Sequence, residues 1–532
     1  MLSKSEKSEL RSILFKHLDG IVTAPSAYEL YDKGVLDYIL KNESVTLDLL
    51  VEEFNANGGY MNVALHTLAS QGWLNIEVDN QQNIVKVSTN SNSEQAFKNC
   101  SLYKDVVELL KFSANFHNRK FELEPFRKWE MICNQYRNNF GKDSSDPIIQ
   151  QILMHIEGIL AGPSIVALGM SGMFHKYFME ASFRPEEFHS DAESFEKLLS
   201  FFKDLGWFEK NGSTFRFTDK GLFFAKRASA YGVTVSYIPT LRWLNELIFG
   251  DPTMIRNIKP GEKEIHVDRE MNVWGSGGAH AAYFKKVDEI IIEVFNKPIS
   301  EQPKGVLDMG CGNGAFLEHI FDVIDRQTLR GEHLEDYPLF LVGADYNTTA
   351  IEISRKNLIN ADIWAKVIWG DIGNPNQLAE TLDKDYGIDL SDLLNVRTFL
   401  DHNRVFEAPD SDHDIQSSSQ GAFAHKGQRI HNNVVEASLY EHLERWKPFV
   451  ARHGLLLIEL HTISPSLISS NIGRTAATAY NATHGYSDQY ILELEAFLKI
   501  AEQAGLKSDP RFAAKYPNSD LATVSINLFK GS

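Results

Sequence analysis

The sequence predicts a doubly wound α/β domain in residues 261–532, behind a mainly α amino-terminal region of winged-helix type. Three observations predict it. Five apolar runs (306–309, 339–345, 365–370, 388–397 and 454–461) are separated by segments of helical length, and each opens onto polar residues at its carboxyl end. The first run stops at three alternating glycines, Gly310, Gly312 and Gly314, and passes into a helical pattern. The amino-terminal half instead carries short helical patterns closed by hairpin signals.

From the amino terminus, helical patterns end at 34–40 and recur at 46–54 and 60–71, the last closed by Gly72 and Trp73. Leu74/Ile76 and Ile84/Val85/Val87 then flank the turn 80–83, as three helices and a wing would. A similar order follows: a helix start at 172–174, a helix over 195–205, Gly206-Trp207, and a hairpin turn near 211–213. The shared glycine–tryptophan step after each helix suggests a divergent internal duplication. The chain is thus divided into 1–100, a winged-helix-like domain; 101–260, a second helical, winged-helix-like lid; and 261–532. A polar connector at 257–269 and a flexible access loop at 271–280 lead to a helix from Tyr283.

Chemistry concentrates at the glycines. Such a turn brings bare backbone and helix N–H groups against a nucleoside-bearing ligand. The spacing is D-x-G-x-G-x-G, from Asp308 to Gly314, rather than the dinucleotide form G-x-G-x-x-G. The second run ends in Asp345, where a carboxylate accepts from both hydroxyls of a ribose. Asp345 follows Asp308 by 37 residues, and a polar surface insertion at 325–336 accounts for the excess. The third run delivers Asp371. The plainer alternative is an α/β domain whose acids only cap helices.

Bulk properties narrow the partners. A length of 532 residues calls for two or three domains, and 43% hydrophobic with 23% charged residues is ordinary for a globular protein. The net charge of −18 disfavours nucleic acid. Residues 1–100 are themselves net acidic by five, and 60–71 carries no Lys or Arg, so the winged helices read as a substrate roof or dimer contact. No apolar run approaches 18 residues and the first residues are charged, so neither membrane span nor signal is expected, and the cytoplasm is the expected compartment. Cys100, Cys133 and Cys311 are too few for a disulfide framework, and Cys311 is expected to pack.

The ends of the fourth and fifth runs are loaded with polar groups. The fourth runs into 395–404, which holds Asp401 and His402, the fifth ends at His461, and 483–489 adds a polar cluster. Three readings stand. One histidine is a general base; or His402, His461 and an oxygen of Asp401 or Gln489 bind a divalent metal that stabilises an enolate; or both histidines only hydrogen-bond backbone. His413, His425 and His431 fall in a polar insertion, 410–428, read as a mobile lid rather than ligands.

Asp308 to Gly314, Asp345 and Gly370-Asp371-Ile372 resemble the motifs of class I S-adenosylmethionine (SAM) methyltransferases over about 280–532. Segments 58–65 with Gly72-Trp73, 272–280, 396–404 and 454–461 are similar to the methyltransferase domain of apratoxin-type polyketide synthases and related free-standing natural-product enzymes. The resemblance implies a Rossmann-like catalytic domain under a winged-helix-like lid. It implies a SAM site made by Asp308, Gly310, Gly312, Gly314, Asp345, Tyr346, Asp371, Ile372 and Asn395, with the adenine amine at Asp371. It also implies a metal, iron or manganese, at His402, His461 and Gln489 beside Asp401, and a malonyl-type carbon as acceptor. The acceptor would be a small molecule or bound to an acyl carrier protein reached in trans, since no carrier signature follows, and the enzyme would pair as a homodimer. The rivals are a metal-independent oxygen methyltransferase with a histidine base and a SAM-binding regulator without transfer activity.

Overall fold

The structure, a computed structural model, describes residues 2–112, 123–138, 145–255 and 264–531. It divides into two compact units: Met1–His280 with Ala422–Arg429 and Ser464–Asp488, and Ala281–Gly421 with Ile430–Ile463 and Gln489–Ser532.

The second unit is built on one sheet. Its strands are β1 (Gly305–Met309), β2 (Phe340–Asp345), β3 (Ala365–Trp369), β4 (Leu393–Thr398), β5 (Leu455–Leu460), β6 (Leu506–Ser508), β7 (Ala514–Tyr516) and β8 (Val524–Gly531). The order across the sheet is β6-β8-β5-β4-β1-β2-β3, with β7 also on β8. Strands β1 to β5 are parallel and β8 runs antiparallel to β5. The two central runs, Val-Leu-Asp-Met after Gly305 and Leu-Leu-Leu-Ile-Glu-Leu, are buried at every position, as strands covered on both faces must be. The chain builds outward from β1 to β3 and returns to lay β4 on the other side of β1. Their carboxyl ends therefore diverge, opening the crevice where open α/β sheets bind ligands.

All five predicted strands form. The fourth begins later than its apolar run, because Leu390–Asp392 first makes a 3-10 turn whose Asp389 side chain accepts from Ser391 N–H. The insertion 410–428 is not a loose lid. Asp410 and Ser411 N–H donate to Glu441, Ser417 N–H to Asn433 and Gln420 N–H to Glu493, which fasten this strip to the helices Asn432–Val450 and Leu494–Gln503 or to the residue before the latter.

The first unit holds the predicted helices Val35–Asn42, Leu47–Phe54 and Gly58–Ser70, with the hairpin Asn75–Asp79/Ile84–Ser88 widened by Ser44–Thr46. The second set also forms: Met173–Tyr177, Ala192–Asp204 and the hairpin Phe208–Asn211/Thr214–Phe217. In both sets a left-handed glycine, Gly72 (φ +74°) or Gly206 (φ +78°), ends the helix before a buried tryptophan. Ahead of the first set, and instead of a short helix, stands a 29-residue helix, Lys4–Asp32, packed on Pro147–Met170. A Cβ on Gly20 would lie 2.2 Å from the Cα of His155, and one on Gly158 2.4 Å from the carbonyl of His17, so glycines let these helices touch.

One further expectation is corrected here. Residues 271–280, expected as a flexible loop, belong to the helix Arg269–Phe295; Gly275 serves packing, since its Cβ would lie 2.6 Å from Val233 N. Part of the connector 257–269 lies outside the described residues. Among the described residues, Pro147–Met170 alone is long and apolar enough to cross a membrane, and 83% of its apolar window is buried within the protein. That is the pattern of a core helix.

Candidate active site

The glycine turn sits at the carboxyl end of β1. Gly310, Gly312 and Gly314 all have positive φ (78°, 55° and 82°), for which glycine alone carries no Cβ penalty. Their neighbours differ. A Cβ on Gly310 would meet Leu400 at 3.0 Å and one on Gly314 would meet Ser354 Oγ at 2.6 Å, whereas one on Gly312 would reach only Gly310 O at 4.0 Å. Gly312 therefore presents the open side of the turn. Its N–H donates to Asp345 Oδ2 at 3.0 Å, and Asn347 N–H donates to Oδ1 at 2.8 Å, which fixes the carboxylate over the turn. Asp308 is buried beneath it; desolvation and then the charge of Asp345 push its carboxyl up to about 7. Cys311 packs near Gly343, and burial pushes its thiol up to about 12, so it is not a reactive thiolate.

Tyr346 is exposed beside Asp345, its ring 5.5 Å from that of Trp369, whose indole N–H donates to the Tyr346 carbonyl. Asp371 lies one strand further, its Oδ1 accepting from Gly373 N–H at 2.8 Å. Ile372 is buried and its carbonyl accepts from Trp446 Nε1 at 2.7 Å. These residues line the ends of β2 and β3. Asn395 does not join them: it sits mid-strand, level with Leu307 of β1, and its amide lies 3.4 Å from the carbonyl of Phe449.

A second cluster lies past β4 and β5. Phe399 adopts φ +54° and the chain makes a single 3-10 turn, Asp401–Asn403. There His402 Nδ1 lies 2.5 Å from Glu459 Oε1, Glu459 Oε2 accepts the His402 N–H at 3.3 Å, and the His402 carbonyl accepts from Tyr490 N–H at 2.8 Å. With Nδ1–H donated to a carboxylate, the neutral ring carries its basic lone pair on Nε2. Asp401 accepts from Arg397 Nη1 at 2.6 Å and from His442 Nε2 at 3.0 Å.

The expected metal set does not fit this geometry. His461 Nδ1 donates to the Leu492 carbonyl (3.2 Å) and Nε2 meets Ser525 Oγ (2.8 Å), because antiparallel β8 brings Ser525 beside β5. Burial holds that ring neutral, down at about 4. Asp401 is committed to Arg397, which with His442 and Arg404 holds its carboxyl well below the usual carboxylate range despite burial. Among the described residues no three His, Cys, Asp or Glu side chains are grouped to hold an ion. Glu459, Arg397 and His442 are the groups that sequence reasoning did not assign. An acid inside an otherwise apolar central strand was the available signal.

Sheet order, glycine turn and the acid on the next strand are those of a class I SAM-dependent methyltransferase. Residues 264–527 match the AprA MT2-like domain, 157–251 the AprA winged helix domain and 10–76 the AprA N-terminal domain. The chain belongs to the AprA-type methyltransferases. Similar solved structures include the mitomycin 7-O-methyltransferase MmcR (10% identity, 71% of this chain and 96% of that one, TM-score 0.40). They also include the CurJ carbon methyltransferase (11%, 80% and 100%, 0.33) and CalO1, a methyltransferase in calicheamicin biosynthesis (13%, 73% and 100%, 0.38). None of the curated proteins compared matches.

Proposed function

We propose that the protein methylates an enolisable, malonyl-type position of a polyketide-type acceptor, small or bound to an acyl carrier protein, with His402 as general base and no metal. The observation that carries this is the His402–Glu459 pair at the mouth of adjacent strands. Glu459 selects the tautomer and orients the ring, so that Nε2 takes the acceptor's proton as the new carbon–methyl bond forms. The donor, SAM, supplies an electrophilic methyl on a sulfonium.

In this reading the backbone of Gly310 to Gly314 receives the donor's methionine part, and Asp345 its ribose hydroxyls. Tyr346, Asp371 and Ile372 border the adenine. Asp308, buried and close to a second carboxylate, favours a cationic ligand above the turn. Neutral imidazole and fixed donors leave the acceleration to positioning and exclusion of water. The acidic balance of the chain fits a small acceptor rather than nucleic acid.

Mass spectrometry of carrier-loaded malonyl-type and hydroxylated compounds incubated with SAM tests the proposal. The expected result is a gain of roughly 14 mass units on carbon, abolished in His402→Gln and unaffected by EDTA. Full activity in His402→Gln, or loss with EDTA restored by iron or manganese, would sink it.

A further inference from the structure

His402 sits on a turn too short to hold itself, and the groups around it that do not face the reaction form a buried cluster of their own. Arg397, Asp401, Arg404 and His442 are all buried, on β4, on the turn, just after it and on the helix Asn432–Val450. Asp401 Oδ1 accepts from Arg397 of β4 (2.6 Å) and from His442 of the helix (3.0 Å), and the Asp401 carbonyl accepts from Arg404 Nη1 (2.9 Å). The Arg397 guanidinium lies 4.0 Å from the Trp446 ring centre, and Arg404 Nη2 reaches the Val435 carbonyl at 3.4 Å.

Stability does not account for the cluster. A buried ion pair gains little over apolar packing of the same volume. This one also leaves Asp401 Oδ2, Arg397 Nε and Nη2, Arg404 Nε and His442 Nδ1 without a hydrogen-bond partner among the described residues. What it does accomplish is geometric: it ties the residue before His402 to two elements, while Glu459 and Tyr490 hold His402 itself.

Resting on the reading of His402 as base, we propose that Asp401, clamped by Arg397 and His442, is a positioning residue for methyl transfer, holding His402 in the Nδ1–H tautomer against Glu459. Two hydrogen bonds to one carboxylate oxygen fix the turn's height above β4 and its tilt toward β5. Without them the turn is free to rotate about the left-handed Phe399, and the ring slides off Glu459.

The test uses full-length protein labelled with ¹⁵N at histidine, saturated with S-adenosylhomocysteine, with His402→Gln identifying the resonances. The wild type is expected to show one tautomer at His402. Asp401→Asn is expected to show a mixture, with S-adenosylhomocysteine affinity within about twofold of wild type and kcat on the acceptor found by mass spectrometry lower by ~10–100-fold, as misplacement on this scale costs. Should Asp401→Asn fail to fold, His442→Gln removes one clamp only and is expected to give the same change to a smaller extent. Unaltered His402 resonances in whichever variant folds would overturn the proposal. If His402→Gln retains full transfer, it is the base assignment that fails, whatever the spectra of Asp401→Asn show.

Discussion

The carboxyl groups of Asp308 and Asp345 close the ends of neighbouring parallel strands, and burial together with the charge of Asp345 pushes Asp308 up to about 7. A carboxyl raised above its unfolded value of 3.8 contributes stability that is fully present below pH 3.8 and is lost as pH rises through about 7. The upper limit of that loss is about 4 kcal/mol.

Asp308→Asn removes this penalty. The variant without donor is expected to melt higher than wild type at pH 8 and to lose that advantage at pH 4. In the proposed donor site it also removes the negative charge under a cationic ligand, so SAM affinity is expected to fall by ~10-fold or more. Differential scanning calorimetry at the two pH values and titration calorimetry with SAM check the two halves. A variant with unchanged affinity would remove Asp308 from the donor site.

The turn glycines are expected to separate stability from binding. Gly314→Ala forces a Cβ to 2.6 Å from Ser354 Oγ at φ +82°, which is expected to cost about 1–3 kcal/mol in thermal melts. Gly312→Ala meets open space and pays only for its left-handed backbone, ~1 kcal/mol. Its methyl instead enters the open side of the turn, where the donor is proposed to lie, so SAM affinity should drop further than in Gly314→Ala once corrected for folding. The reverse order of affinities would place the donor elsewhere.

What the sequence made legible was local. Gly310, Gly312 and Gly314 announce their backbone conformation in their own identity, and the buried strands β1 and β5 are apolar on both faces apart from Asp308 and Glu459, so neither needs knowledge of distant residues. Long-range approach decided the rest. Gly275 and Gly20 look like flexible or breaking positions, yet each is small because another backbone, at Val233 or His155, presses on it. Likewise the segment Ser464–Asp488 follows β5 of the second unit but packs in the first unit, through Tyr486 with Ser26 and Asp488 with Tyr60. His461 was ambiguous for the same reason: its role depends on Ser525, 64 residues away.

That placement gives His461 a structural task. His461→Ala takes one partner from the Ser525 hydroxyl, which keeps Asn527 Nδ2, and one from the Leu492 carbonyl, which keeps Thr462 N–H, and it leaves a void; the change is expected to cost about 2–4 kcal/mol. The folded fraction is expected to keep kcat within about threefold, and dialysis against EDTA to leave wild-type kcat unchanged. Chemical denaturation and a transfer assay on the same preparation check both. A folded His461→Ala protein without activity would return His461 to the chemistry.

Glu459 offers the sharpest separation of roles. Its Oε1 meets both His402 Nδ1 and the N–H of Leu460 (2.7 Å), while Oε2 takes the His402 backbone N–H. Glu459→Gln keeps volume and an acceptor oxygen but loses the charge that stabilises the imidazolium formed as the proton arrives. It also offers an NH₂ where a second acceptor stood. A neutral partner of this kind leaves the ring's tautomer unenforced, so kcat is expected to fall ~10²–10⁴-fold, while SAM affinity, which the proposed arrangement sets at the ends of β1 and β2, is expected to stay within about twofold. Glu459→Asp, which keeps the charge and shortens the reach, is expected to recover part of the rate. Steady-state kinetics of the three proteins decide it: if Glu459→Gln turns over like wild type, the carboxylate only fills space beneath His402 and the base must be sought elsewhere.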